Sequence, residues 1–466
     1  MRRKKLGILN NITIEKGVAE GKCMTRHEDK VIFIEGGAPG DVVDIQLTKN
    51  KKSFMEGRVI NLIEPSPIRQ EPFCSYFGTC GGCKWQHIQY QEQLQLKAQQ
   101  VEDSLVRIGK VDIQQSNEII AAPQTDYYRN KLEFTFSNNR WVTKEEIDSG
   151  APLDRDALGF HIPKRFDKIL DVEHCHLQGN ISNEIRNGLR GFAKNNSLTF
   201  YDIKGHVGLL RNVVIRTSSL NEVMVIVQFG EDLPDQIKQV MDYLQKTFEG
   251  ITSLNYIVNL KMNDSYADQE VIHYNGATFI QEKMEELTFR VGPKSFFQTN
   301  SEQAVVLYQK AKELANIQPS DVVYDLYTGT GTIANFVARD AKKVIGIEYV
   351  EEAIQDAHVN SEINGINNTS FFAGDMKDVL NADFIRTHGQ PNVIITDPPR
   401  AGMHQDVVDV LLKAAPERIV YVSCNPATQA RDLQLLSEQY SVKISQPVDM
   451  FPHTHHVENI TLLIKK

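Results

Sequence analysis

Long apolar runs are missing from this 466-residue chain. No stretch reaches about 18 consecutive apolar residues, which excludes a membrane-spanning helix. The basic start Met1-Arg2-Arg3-Lys4-Lys5 is not followed by an apolar core of roughly 7–15 residues, so no secretory signal is expected. Cysteine is scarce, at six residues, too few for a disulfide scaffold; without an export signal the expected compartment is the reducing cytosol. A surplus of positive charge is also absent: 51 Lys and Arg stand against 60 Asp and Glu, a net charge of −9. That excludes a chain coated in cations for phosphate binding, though not local basic faces. One such face is available in residues 1–66, where 12 basic residues meet 9 acidic ones.

What remains is ordinary globular material. Hydrophobic residues at 41% and charged residues at 24% rule out a disordered chain, a collagen or a coiled coil. The length predicts about three domains. Residues 1–66 read as a small β unit: Val31-Ile32-Phe33-Ile34, Val42-Val43-Asp44-Ile45 and the run from Phe54 to Ile60 are strand candidates. Gly36-Gly37-Ala38-Pro39-Gly40-Asp41 is a turn, and Pro65-Ser66-Pro67 closes the unit. Short strands with glycine turns suggest an OB-like barrel, which binds nucleic acid in many proteins and is a structural appendage in others. A helix is predicted from Gln89 to Ile108, then a mixed α/β stretch to Phe289. Beyond it, strands expected at 321–327, 343–348, 369–373, 391–397 and 418–424 alternate with helical segments, the pattern of a doubly wound parallel sheet.

The first of those strands runs through Asp325 into Tyr327-Thr328-Gly329-Thr330-Gly331-Thr332. Glycines there let a ligand approach the backbone and the N–H groups of the following helix. The second strand ends at Glu348, where a carboxylate grips a ribose diol. A third glycine is lacking, which favours a nucleoside without pyrophosphate, such as S-adenosylmethionine, over NAD. Gly374-Asp375 after the third strand is placed to meet the adenine. The fourth strand leads into Asp397-Pro398-Pro399-Arg400 and the fifth into Cys424-Asn425-Pro426. In a parallel sheet all carboxyl ends face one crevice, so Asp325, Glu348, Asp397 and Cys424 should converge. Cys424 reads either as a nucleophile on the crevice rim or as a small core hydrophobe. His453-Thr454-His455-His456-Val457-Glu458 reads either as a polar loop before a last strand (Ile460 to Ile464) or as a pocket holding Glu458 as a general base.

Cys74-x5-Cys80-Gly-Gly-Cys83 with Cys175, in Glu173-His174-Cys175-His176, is hard to explain by packing. The three-plus-one arrangement favours an iron–sulfur cluster. Zinc, which usually takes two Cys-x2-Cys knuckles, is the alternative, and unligated thiols the third reading.

Together these features resemble the RNA 5-methyluridine methyltransferases of bacterial 23S ribosomal RNA and the tRNA T-loop, over nearly the whole chain. Gly17-Val18-Ala19 and Ala38-Pro39-Gly40-Asp41 are similar to a TRAM domain. The four cysteines resemble the 4Fe-4S site of the ribosomal branch; the tRNA branch usually lacks both features. Phe296-Phe297-Gln298-Thr299-Asn300 is similar to the family segment whose glutamine contacts S-adenosylmethionine. The resemblance implies a Rossmann-like class I methyltransferase domain over 291–466, a central α/β domain with the cluster over 67–290, and the barrel over 1–66. It implies a cofactor site of Gln298, Tyr327, Glu348 and Asp397, joined by Asp325, Gly329, Gly331 and Asp375. Cys424 is implied as nucleophile, Glu458 as general base, and Asp397 as an orienting group. Thr328 and Thr330 depart from the small residues common in the family.

The implied reaction is methylation of carbon 5 of uracil through a cysteine adduct at carbon 6, on RNA, with 23S ribosomal RNA as the expected partner and the tRNA T-loop as alternative. A monomer without membrane contact is expected. Tyr127, Tyr128, Arg129, Lys131, Arg211 and Arg216 are RNA-contact candidates that read equally as an ordinary solvated face. Competing readings are a methyltransferase for an exocyclic nitrogen, a non-catalytic RNA-binding factor, and an iron–sulfur redox protein.

Overall fold

A computed structural model describes residues 6–466; the basic run Met1–Lys5 lies outside the described residues. The expected barrel strands form within Lys30–Glu35, Val42–Asn50 and Phe54–Glu64, and they join Ile8–Thr13, Lys16–Val18 and Lys22–His27 in one six-stranded sheet. Alternate residues point inward: Ile32, Ile34, Val43 and Ile45 are fully buried. Each such side chain contributes about 1.5–3 kcal/mol. The turn at Asp41 is tied down, its carboxylate accepting from Ala38 N–H (2.6 Å), Ser66 N–H (3.0 Å) and Arg69 Nε and Nη2 (2.7 Å each). Cys23 packs inside this unit and donates to the Gly37 carbonyl.

The predicted helix forms over Tyr90–Asp103, and its last turn, Ser104–Ile108, widens into a π turn. It stops at Gly109, where a Cβ would lie 2.8 Å from the Leu105 carbonyl. The central unit is a seven-stranded sheet, with Asn180–Asn195 and Pro234–Thr247 packed on each other through stacked Phe192 and Tyr243 rings.

The C-terminal strands lie at Val322–Leu326, Lys343–Glu348, Thr369–Ala373, Val393–Thr396 and Arg418–Ser423, all parallel, close to their expected limits. Their order, by first residue, is Thr369, Lys343, Val322, Val393, Arg418, then Glu458, Tyr440 and Ile113. Two features depart from a purely parallel sheet. Tyr440–Val448 and Glu458–Lys465 form an antiparallel hairpin, and its second strand inserts beside Arg418–Ser423. The edge strand Ile113–Ser116 joins from a segment that the sequence pattern groups with the central domain. Residues 90–116 therefore pack with the C-terminal sheet. One core runs from Val214, Met224 and Ile226 of the central sheet into Leu307, Val323 and Ile395, so the central and C-terminal units share a buried interface.

Candidate active site

The strand Val322–Leu326 ends in a turn with three left-handed residues, Tyr327 (φ +64°), Gly329 (+54°) and Gly331 (+75°). Gly331 must be glycine, because a Cβ would lie 2.9 Å from Ala357 Cβ. Asp325 is fully buried; it accepts from the Thr328 hydroxyl at 2.5 Å and the Ala334 N–H at 3.0 Å. Thr328 thus orients this carboxylate. The second oxygen, Oδ1, is buried without a partner. Burial pushes the carboxyl up to about 7. On the neighbouring strand, Glu348 accepts from Gly329, Tyr349 and Val350 N–H at 3.1, 2.9 and 3.1 Å. Asp375 caps the helix Met376–Val379, accepting from Lys377 N–H. Gln298 precedes the helix Ser301–Ala315, and its carbonyl accepts from Asn130 Nδ2 at 2.8 Å. Phe296 beside it is 71% exposed.

The strands bearing Asp397, Cys424 and Glu458 are adjacent in the sheet. Ser423 pairs with Asn459, so the next residue outward on each strand places Cys424 beside Glu458. Glu458 is buried, and its carboxyl is pushed up to about 8 by burial and by the charge of Asp397, against the pull of Arg400. Burial likewise raises Asp397 to about 7. The half-buried Cys424 thiol is pushed up to about 12, first by burial, then by the two carboxylates. The loop after Asp397 is fastened to the following helix: Asn425 Nδ2 and Thr428 Oγ1 both donate to the Arg400 carbonyl, at 3.1 and 3.2 Å. A thiol beside two carboxylates that titrate near neutrality can add to an electrophilic ring and have a proton removed next to it.

Tyr308 was not legible as a site residue. It lies on the helix Ser301–Ala315 with its ring buried against Phe336, and its hydroxyl is held protonated by burial and by the nearby charges of Asp397, Asp325 and Glu458. A tyrosine inside an amphipathic helix carries no signal beyond core packing. His453, His455 and His456 are kept neutral: burial first, then Lys97 for His453, Lys84 for His455 and the adjoining His455 ring for His456, push them down to about 4, 4 and 3.

Cys74, Cys80, Cys83 and Cys175 line one cavity with Tyr76, Phe77 and Leu177. All six cysteines of the chain are free. Burial pushes Cys80 up to about 11 and Cys83 to about 12, and raises Cys175. Among the described residues, no three His, Cys, Asp or Glu side chains meet in a group that could hold a metal ion; the four thiols surround a common space instead.

The RNA-contact candidates divide. Tyr128, Arg211 and Arg216 are buried, which overturns the reading of a solvated face for them. Tyr128 donates to the Pro452 carbonyl, Arg211 to those of Asn259 and Lys261, and Arg216 to that of Ser295. Tyr127 is exposed, and Arg129 and Lys131 are half-buried.

A family model for tRNA (uracil-5-)-methyltransferase matches residues 210–466, and a TRAM domain model matches residues 4–60. The chain belongs to the RNA uracil-5-methyltransferase family. An uncharacterized RNA methyltransferase of Bacteroides thetaiotaomicron is 56% identical, over 96% of this chain and 99% of that one. A second, of Porphyromonas gingivalis, is 54% identical over 96% and 98%. The crystal structure of Pyrococcus abyssi tRNA (uracil-54, C5)-methyltransferase in complex with S-adenosyl-L-homocysteine superposes with a TM-score of 0.75 at 29% identity, over 97% of this chain and all of that one. The family match confirms the resemblance, with its S-adenosylmethionine-dependent chemistry, its TRAM unit and its methyltransferase fold. Because a tRNA enzyme spans nearly the whole chain, the N-terminal and central units alone do not mark a ribosomal target. No described helix is long and apolar enough to cross a membrane.

Proposed function

We propose that the protein methylates carbon 5 of specific uridines in 23S ribosomal RNA through a covalent Cys424–uracil adduct. The observation that carries the covalent route is the adjacency of Cys424 and Glu458 across the Ser423–Asn459 register, with Asp397 on the other side of the same strand. The ribosomal target rests on the likeness of the four-cysteine pattern to the ribosomal branch.

Carbon 5 of uracil is too poor a nucleophile to take a methyl group unaided. The Cys424 thiol gives its proton to Asp397, the carboxylate on its other side, and its sulfur bonds to carbon 6, moving the ring electrons onto carbon 5 and oxygen 4. Bound S-adenosylmethionine supplies an electrophilic methyl group, which carbon 5 takes. Glu458 then removes the carbon 5 proton; the freed electron pair restores the 5,6 double bond and expels the thiolate. A base whose carboxyl titrates near 8 suits that step at neutral pH. The uridine must be unstacked to enter the crevice, and exposed Phe296 offers a ring for a neighbouring base.

The residues fit the methyl donor. Asp325 Oδ1 is a buried acceptor without a donor, suited to an ammonium group, and Glu348 stands where a ribose diol is held. The four cysteines line one cavity together with His174 and His176 and no acidic side chain, and their three-plus-one spacing supports the reading of a cluster. A single zinc needs all four ligands about 2.0–2.3 Å from one point, whereas a cluster spreads its thiolates over several iron atoms. When bound, it would tie the 74–83 segment to Cys175 of the central unit.

The test is methyl transfer from labelled donor to unmodified 23S RNA and tRNA separately, with modified positions mapped by mass spectrometry. Label as 5-methyluridine in 23S RNA supports the full reading. Label in tRNA alone moves the target to the T-loop, a reading that the likeness to the tRNA (uracil-54) enzyme favours. Cys424→Ala that still transfers methyl groups would remove the covalent route.

A further inference from the structure

Val448 and Glu458 face each other as the last pair of the C-terminal hairpin, and residues 449–457 between them are held from three directions. The helix Tyr90–Asp103 supplies Lys97, whose Nζ lies 2.6 Å from Asp449 Oδ1 and 3.0 Å from the Phe451 carbonyl, with both side chains of the ion pair fully buried. The same helix supplies Tyr90, donating to Asp449 at 2.9 Å, and Gln93, bonded to the His453 N–H and ring at 2.9 and 3.1 Å. The central unit adds Tyr128, donating to the Pro452 carbonyl at 3.0 Å. The cysteine segment adds the N–H groups of Lys84 and Trp85, both on the His453 carbonyl, at 2.9 and 3.0 Å. His453 itself is left-handed, with φ +62°, a conformation that a non-glycine residue holds only where its surroundings impose it. A fully buried ion pair is a poor source of stability, since an apolar pair of similar shape packs as well without the desolvation cost.

We propose that Lys97 and Asp449 are positioning residues for Glu458, and that the cysteine segment, through Lys84 and Trp85, clamps the same loop, so that assembly of the four-cysteine centre is read out at the general base. This rests on the reading of Glu458 as the base. Addition of the Cys424 sulfur and methylation of carbon 5 do not need Glu458. Removal of the carbon 5 proton does, and without it the C6–S bond cannot break. A loosened loop therefore strands the methylated RNA on Cys424.

The test compares full-length Lys97→Met/Asp449→Leu, which removes both charges together, with wild type and Glu458→Gln, using labelled donor and RNA separated on denaturing gels. A displacement of about an ångström costs on the order of a hundredfold in rate, so the paired variant should turn over roughly 10–100-fold more slowly, with donor KM and RNA affinity unchanged and covalent protein–RNA adduct accumulating. Tyr90→Phe/Tyr128→Phe, which keeps both rings, should shift adduct the same way by a smaller factor, and it decides the matter if the first variant does not fold. Metal-stripped protein should show faster amide exchange at Lys84, Trp85 and residues 449–457. Adduct in Glu458→Gln but not in the loop variants overturns the positioning role of Lys97 and Asp449, and unchanged exchange after stripping overturns the coupling to the cysteine segment. No adduct in Glu458→Gln overturns the reading of the base, and this proposal with it.

Discussion

Asp397 and Glu458 flank the strand that ends at Cys424, one on each side, and the charge of Asp397 helps hold the Glu458 carboxyl up to about 8. Glu458 accepts a proton only when ionised, and its ionised fraction grows as pH rises through that value. Release of the methylated product should therefore climb about tenfold per unit below pH 8 and level off above it. Asp397→Asn removes the opposing charge, so the climb should move to lower pH by about one unit, measured in single turnovers at saturating donor. A profile that stays in place means that the carboxylates do not share a field.

The same carboxylates govern the stability of the ligand-free protein. Asp325 and Asp397, raised to about 7, and Glu458, raised to about 8, keep their protons in the folded state where the unfolded chain has lost them. Folded protein thus binds more protons than unfolded between about pH 4 and 8, and these groups lower stability as pH rises through that window. His453, His455 and His456, pushed down to about 4, 4 and 3, act oppositely: the unfolded chain takes up their protons as pH falls below about 6.5. The three carboxyls and three imidazoles nearly offset one another between about pH 4.5 and 6, so the melting temperature should be almost level there and fall as pH rises from about 6.5 to 8.5, where only the carboxyls act. S-adenosylhomocysteine, whose ammonium suits an ionised Asp325, should raise it more at pH 8 than at pH 6. Scanning calorimetry across that range with and without the ligand checks both signs.

The parallel half of the site was open to sequence reading because one period and one rule place it: apolar strands of a parallel sheet end on the same side, whatever their separation in the chain. Asp325, Glu348 and Asp397 follow directly. Glu458 does not, since it begins a strand that runs the other way, and only the register with Ser423 brings it beside Cys424. The strand Ile113–Ser116 was hidden because four residues at a sheet edge, three of them polar, carry no usable alternation. Arg211 and Arg216 misled for a related reason. Arginine reads as surface, yet in a strand with seven of its eight residues buried their side chains end on backbone carbonyls.

The four cysteines make an analytical prediction that needs no activity. Protein purified without oxygen should carry about four iron atoms and four acid-labile sulfides per chain, with a broad absorption near 400 nm for a cubane cluster. About one zinc and no sulfide would assign the cavity to a structural zinc instead. Cys175→Ser should lose most of the metal although it lies 92 residues beyond Cys83, because it lines the same cavity.

Gly329 and Gly331 sit two residues apart and should fail in different ways. A Cβ at Gly329 meets nothing within 4 Å, because that face opens into the crevice; at Gly331 it would lie 2.9 Å from Ala357 Cβ and 3.0 Å from Phe371 Cζ. Both have positive φ, worth roughly 1 kcal/mol against alanine, but only Gly331→Ala adds an overpacking cost of about 1–3 kcal/mol. Gly331→Ala should lower the melting temperature by several degrees and weaken donor binding through a displaced helix. Gly329→Ala should barely shift the melting temperature yet raise the donor KM, since the added methyl occupies space left for the ligand. Equal melting temperatures in the two variants would mean that the packing around Ala357 and Phe371 yields to the added methyl, and an unchanged KM in Gly329→Ala would place the methyl donor somewhere other than over this turn.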